Sequence, residues 1–129
     1  MIDLIKFQIK RLITMLASLV FKTRVGKFAS EKLIYLSLNS EKEIYYRKYN
    51  LRFAVPNSIS RFRIDTFATK EPETLSWIDT FERNAVFWDI GANIGLYSCY
   101  AAKSTDCKVY AFEPSIFNLE LLGRNISLN

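Results

Sequence analysis

A short apolar run that ends in a glycine-containing turn is the feature that most restricts the fold of this chain. The run Val86–Ile90 contains one carboxylate, Asp89, and two glycines follow it, Gly91 and Gly95. An apolar run of this length beside glycine is typical of a strand buried on both faces of a parallel sheet. The next residues, Leu96–Ala102, lack glycine and proline and favour a helix. Strand, turn and helix together predict a ligand-binding crevice at the carboxyl end of the strand.

The spacing within the turn restricts the ligand. A dinucleotide-binding turn has a third glycine that lets helix and strand pack closely below a pyrophosphate. Here Asn93 lies between the two glycines, and Leu96 occupies the position of that third glycine. A second strand, Lys108–Phe112, leads into Glu113 about 20 residues beyond the turn, where a carboxylate can bind the two hydroxyls of a ribose. The pattern predicts a ligand with a ribose and without a pyrophosphate, and S-adenosylmethionine meets both conditions.

Several motifs in the second half of the chain also carry a resemblance to a known family. They are Asp89–Gly95, Phe112–Ser115 and Arg124–Ile126, with a lead-in at Asp65–Phe67 and Lys70–Thr74. Together they resemble the FkbM family of S-adenosylmethionine-dependent methyltransferases, over residues 65–129. The resemblance implies an α/β fold, the start of the doubly wound sheet of a Rossmann-like class I methyltransferase. It also implies O-methylation of a hydroxyl on a sugar, a glycan or a polyketide-like small molecule.

Five residues are expected to bind the cofactor: Asp89, Gly91, Asn93, Gly95 and Glu113. Asp89 should orient the turn and meet the ammonium group of S-adenosylmethionine, and Glu113 should accept hydrogen bonds from both ribose hydroxyls. Glycine lets the backbone approach a ligand where a Cβ atom would collide, and Asn93 tolerates a left-handed backbone. The catalytic residue is unknown from the sequence. No metal site is expected, because the absence of histidine excludes imidazole catalysis and histidine-ligated metal.

The expected organisation has three segments. Residues 1–41 should be helical, residues 42–66 should form a small antiparallel β-meander, and residues 67–129 should form the strand-helix-strand-helix start of the cofactor-binding domain. Only two strands of a class I sheet would then be present, so we expect a truncated domain that is inactive alone. The two cysteines, Cys99 and Cys107, are expected to be buried, reduced thiols of a cytoplasmic protein.

Residues 2–22 predict a basic amphipathic helix, with apolar residues at helical spacing and Lys6, Lys10 and Arg11 elsewhere around it. Its uninterrupted apolar part is about half of the ~20 residues that a membrane span requires. Two alternatives remain open, a helix on an anionic membrane surface and a helix packed on its own domain. Residues 1–63 contain 13 basic and 4 acidic side chains, a net charge of +9, whereas residues 64–129 contain 5 and 9, a net charge of −4.

Alternating apolar residues predict the strands of the meander: Ile44 and Tyr46, then Leu51, Phe53 and Val55, then Phe62 and Ile64. Turns are predicted at Tyr49-Asn50 and Pro56–Ser58. Further helices are predicted over residues 30–38, from near Thr69 or Glu71 with Pro72 in the first turn, and after Ser115 as N-cap.

Arginines and tyrosines interleave in this region, which is the pattern of an RNA surface, although the solvated face of a sheet is its more frequent origin. Nucleic acid is therefore the less favoured partner, and a small-molecule or glycan acceptor the favoured one. An RNA methyltransferase and a non-catalytic cofactor-binding module are the alternative functions.

Overall fold

The computed structural model describes residues 2–129 and divides into two compact units, one that ends at Ser37 and one over Leu38–Asn129. The part of the chain that is described contains seven helices and four strands, a mixed α/β composition. The elements are α1 (Ile2–Phe21), α2 (Arg24–Leu38), β1 (Glu41–Tyr46), β2 (Tyr49–Ala54), α3 (Ser58–Asp65), α4 (Phe67–Lys70), α5 (Pro72–Ile78), β3 (Val86–Ile90), α6 (Leu96–Thr105), β4 (Lys108–Phe112) and α7 (Ile116–Leu128).

A tight corner separates the two helices of the first unit. The Thr23 hydroxyl donates to the carbonyl of Val20 at 2.7 Å and accepts from the N–H of Gly26 at 3.0 Å. Gly26 is buried, and a Cβ atom there would lie 2.0 Å from the Val20 carbonyl oxygen. The close approach at Gly26 therefore ends α1 and starts α2, six residues before the predicted start of that helix. Across residues 2–129 no helix is both long and apolar enough to cross a membrane.

The second unit begins with a hairpin instead of a three-stranded meander. Strands β1 and β2 pair antiparallel, with Ile44 opposite Leu51, through a two-residue turn at Arg47-Lys48. Arg47 has φ 52, the left-handed backbone that two-residue hairpin turns require. The predicted turn at Tyr49-Asn50 is wrong, because both residues lie in β2.

The predicted third strand is also wrong, because Phe62 and Ile64 lie in α3. The Asn57 side chain accepts from the N–H of Ser60 at 2.9 Å and caps that helix. Ser60 and Ile64 are both buried at a spacing of four residues, which is helical periodicity. The N-cap residue outweighed the alternation of apolar residues that had predicted a strand.

Strands β3 and β4 form a parallel pair at the predicted positions, with Trp88 opposite Tyr110. The expectation that β3 is buried on both faces is wrong. Phe87 is 7% exposed and joins the core, whereas Trp88 is 62% exposed and Ile90 76% exposed. Packing against the described residues covers one face of the pair only. The larger doubly wound sheet therefore stays a prediction.

Aromatic side chains form the centre of the core. Tyr100 is fully buried, and the rings of Tyr46, Tyr49 and Phe67 contact it edge-to-face at centroid distances of 5.2, 6.1 and 5.9 Å. This cluster joins the hairpin, α4 and α6 into one core and holds α6 behind the glycine turn. Cys99 is buried in α6 as a free thiol, and burial raises its pKa to about 12. Cys107, just before β4, is likewise buried and free, as the sequence predicted.

Candidate functional site

The turn after β3 is fastened to the carboxyl end of β4. The N–H groups of Gly91 and Ala92 both donate to the Phe112 carbonyl, at 2.8 and 3.0 Å. The next N–H, that of Asn93, donates to a carboxylate oxygen of Glu113 at 2.8 Å. Three successive amides of the turn therefore bind β4 and its end. A phosphate-binding turn needs such amides free, so this turn is unsuited to a pyrophosphate.

Glu113 is held by three donors. One carboxylate oxygen accepts from Asn93, and the other accepts from the N–H of Ser115 at 2.9 Å and from the side-chain amide of Asn118 at 3.3 Å. The pKa of the Glu113 carboxyl is lowered, first by the Ser115 amide and then by Asn118, Asn93 and the charge of Arg63. Glu113 is therefore ionised at neutral pH. A carboxylate has about four acceptor positions. One position remains for a ligand, and the long contact to Asn118 is the one that a second ligand hydroxyl could replace.

A cavity of about 460 Å³ opens beside the turn at the carboxyl end of β3. This volume lies in the ordinary range for small-molecule sites. Of the five predicted site residues, Asp89, Gly91 and Asn93 line it, and Glu113 and Gly95 do not. Glu113 connects to the cavity wall through its hydrogen bond to Asn93.

Gly95 is placed differently from the other turn residues. It has φ 80, and a Cβ atom there would lie 2.3 Å from Cδ1 of Leu122 in α7. Gly91 has φ 85 and no atom within 4 Å of such a Cβ. The structure therefore places Gly95 at a helix contact and Gly91 beside open space.

The side-chain oxygen of Asn93 has no hydrogen-bond partner among the described residues. Its backbone is left-handed, φ 54, and its side-chain oxygen is buried and accepts no hydrogen bond. Buried polar atoms in proteins are almost always hydrogen-bonded, and an exception needs a physical reason. Because Asn93 also lines the cavity, a ligand with an N–H or O–H donor would satisfy it.

Asp89 faces the same cavity and is fixed by Ser98, whose hydroxyl donates to its carboxylate at 2.5 Å. Partial burial raises the pKa of Asp89, and hydrogen bonds from the Ser98 hydroxyl and backbone oppose that shift. Ser98 is 3% exposed and was missed by the sequence reasoning. Its position in the first turn of the helix after the glycines was the available signal.

Glu71 and Tyr97 also line the cavity. Glu71 precedes α5 and makes no capping hydrogen bond to it through its side chain. Burial, with the neighbouring Glu71 carboxylate as the next cause, raises the pKa of Tyr97 to about 12. The phenol therefore keeps its proton at neutral pH.

Several side chains of the arginine- and tyrosine-rich region are engaged within the protein. Arg47 pairs with Asp79 at 2.6 Å, and Arg52 pairs with Glu41 at 2.6 Å. Tyr46 and Tyr49 pack against Tyr100 in the core. These contacts engage two of the arginines and two of the tyrosines of the region, whereas Tyr45 stays 74% exposed.

Comparison with curated proteins finds a similarity to hexuronic acid methyltransferase AglP of Haloferax volcanii. The two sequences are 31% identical over 77 residues, which is 60% of this chain and 31% of that protein. The chain thus spans about a third of the length of the curated relative that it matches. No family model matches the chain, and no solved structure matches it. The similarity supports a relationship to methyltransferases and does not resolve which family.

Proposed function

We propose that residues 67–129 are the cofactor-binding region of an S-adenosylmethionine-dependent O-methyltransferase of the FkbM type, with a Rossmann-like sheet. The observation that carries the proposal is the junction between the turn and Glu113, which joins β3, the glycine turn and β4 at one edge. At this junction the ionised Glu113 carboxylate can accept hydrogen bonds from a ribose. The turn amides already donate to Phe112 and Glu113, so they are not free to bind a pyrophosphate. The similarity to a hexuronic acid methyltransferase supports the reaction class.

The residues at the cavity fit the amino-acid end of S-adenosylmethionine. The unpartnered oxygen of Asn93 accepts a donor, and the Asp89 carboxylate attracts an ammonium group. Gly91 leaves the space that a side chain would fill. Asp89, Gly91 and Asn93 would hold this end, Glu113 would hold the ribose, and Gly95 would support the turn through its contact with α7. Ile116 and Phe117, which are 79% and 86% exposed just after Glu113, offer apolar surface for an adenine ring.

When bound, S-adenosylmethionine supplies an electrophilic methyl group on a sulfonium. The contribution of this chain to such a transfer is alignment of the methyl donor and exclusion of water from it. Ser98 holds the Asp89 carboxylate in place, and the three amide bonds to β4 fix the turn. The acceptor that we propose is a hydroxyl of a sugar, a glycan or a related small molecule. No catalytic base is assigned.

Replacing Glu113 with alanine should weaken binding of S-adenosylhomocysteine by roughly 10- to 100-fold, because the ribose hydroxyls lose their acceptor. Isothermal titration calorimetry measures the affinity, and NAD should not bind. The matched control is Asn118→Ala, which removes a neighbouring contact and leaves the carboxylate. It should bind within a few-fold of the parent, because only the long 3.3 Å bond is lost.

A 2′-deoxy analogue of S-adenosylhomocysteine shows whether the ribose is what Glu113 recognises. The parent protein should bind the analogue more weakly than S-adenosylhomocysteine, and Glu113→Ala should bind the two equally. Thermal unfolding of the variant checks that the turn is still folded. Parent-like affinity in Glu113→Ala, or NAD binding as tight as that of S-adenosylhomocysteine, would refute the assignment.

The affinity for S-adenosylhomocysteine should also depend on the charge of Asp89. Only the ionised carboxylate pairs with the ammonium group, so affinity should fall as the pH falls through the pKa of Asp89. Because partial burial raises that pKa, the loss should begin at a higher pH than for an ordinary aspartate. Titrations at several pH values measure it, and Asp89→Asn should bind weakly with this dependence removed. The same dependence in Asp89→Asn would show that another group is responsible.

A further inference from the structure

The helices of the first unit expose most of their apolar side chains. Among residues 3–37 only Gly26 is buried. The exposed fractions of the large apolar side chains of α1 run from 44% at Phe21 to 64% at Leu4, and those of Val25 and Phe28 in α2 reach 78% and 71%. An apolar surface that is continuous along a helix and lacks a covering element marks a site of interaction.

The charge of the same unit indicates what covers that surface. Residues 3–37 contain seven basic side chains, all exposed, against Asp3 and Glu31, a net charge of +5. The seven are Lys6, Lys10, Arg11, Lys22, Arg24, Lys27 and Lys32. A second copy of this unit would bring two charges of the same sign together, whereas an anionic surface would be attracted. Apolar area together with basic charge is the composition of helices that lie in the headgroup region of anionic membranes.

The arrangement of residues around α1 suits such a position. At about 100° per residue, Leu12, Leu16 and Leu19 fall on one side of the helix, and Lys6 and Lys10 fall on the other. A helix parallel to the surface can therefore bury its leucines among the acyl chains while its lysines contact phosphates. The corner at Gly26 stops α1 after 20 residues and starts a second helix. The apolar and basic side chains are thus distributed over two successive helices.

We propose that residues 2–37 bind the surface of an anionic phospholipid membrane through the apolar and basic side chains of α1 and α2. This contact would hold the cofactor-binding unit near a membrane. It is independent of the proposed methyl transfer, because no residue of the cavity takes part in it.

Vesicle flotation of the 129-residue chain tests this inference, since membrane-bound protein rises with the vesicles and aggregated protein does not. The protein should float with vesicles of phosphatidylcholine and phosphatidylglycerol, should stay below with phosphatidylcholine alone, and should be released by added salt. Substituting Lys6→Gln, Lys10→Gln and Arg11→Gln together should weaken binding by about 100-fold, since each basic residue at such a surface contributes about tenfold or less.

The matched control carries the same number of substitutions in the second unit, Lys48→Gln, Lys103→Gln and Lys108→Gln, at exposed lysines. It should float like the parent protein, and circular dichroism should show both variants folded. A second variant, Leu12→Ser with Leu16→Ser, should also lose binding while keeping its charge. Equal flotation with neutral vesicles, or none with either, would overturn the proposal. So would a concentration-dependent dimer in sedimentation velocity that leaves no binding to vesicles, because a second copy would then cover the apolar surface.

Discussion

Replacing Asn125 with alanine should lower the free energy of unfolding by about 2–5 kcal/mol, because two buried backbone groups lose their partners. Asn125 lies in α7 and is fully buried. Its side-chain amide donates to the carbonyl of Ile94 at 2.7 Å and accepts from the N–H of Ala54 at 2.8 Å. One side chain thus connects the glycine turn to β2, and its removal leaves two buried backbone groups without a partner.

Urea unfolding followed by circular dichroism measures this effect, and Asn129→Ala is the control. Asn129 lies four residues further along and makes the same kind of contacts, accepting from the N–H of Arg52 at 3.0 Å and donating to its carbonyl at 2.6 Å. It is exposed, so water replaces the lost bonds and the cost should stay below about 1 kcal/mol. Equal costs for the two variants would show that burial at Asn125 is not the cause.

Replacing Gly95 with alanine should destabilise the protein by about 2–5 kcal/mol, the sum of two costs. A left-handed backbone costs a residue with a Cβ atom about 1–2 kcal/mol, and crowding in a packed core costs about 1–3 kcal/mol. Both apply at Gly95, which has φ 80 and a Cβ position 2.3 Å from a methyl carbon of Leu122. The side chain of Leu122 is 2% exposed and has little room to move.

Two comparisons separate these causes in the same unfolding experiment. The double variant with Gly95→Ala and Leu122→Ala removes the collision but keeps the backbone strain. Its loss of stability should therefore be smaller than the sum of the losses in the two single variants. Gly123→Ala, in α7 at an exposed position with nothing near its Cβ, should instead stabilise by up to about 1 kcal/mol. A loss of stability at Gly123, or full additivity of the first pair, would contradict the explanation.

Local sequence signals determined much of the site region. The apolar run, the glycines and the following helix-forming residues predicted β3, the turn and α6, and the second apolar run predicted β4. These elements are set by neighbours in the chain, through strand-forming side chains and the left-handed backbone at Gly91 and Asn93. Pro72 at the start of α5 and Ser115 before α7 were located for the same reason, although the Ser115 side chain makes no capping hydrogen bond.

The tertiary structure decided what distant residues do to one another. Phe62 and Ile64 alternate like a strand but follow the Asn57 cap into a helix, because only one of two local patterns can form. Exposure of Trp88 depends on which elements pack against the sheet, and periodicity carries no information on that. Periodicity also carries no information on the hydrogen bonds between distant residues. Asn93 bonds to Glu113, 20 residues away, and Asn125 bonds to Ile94 and Ala54, 31 and 71 residues away. Such contacts follow from how the elements pack, so the sequence alone located the residues and the fold assigned their partners.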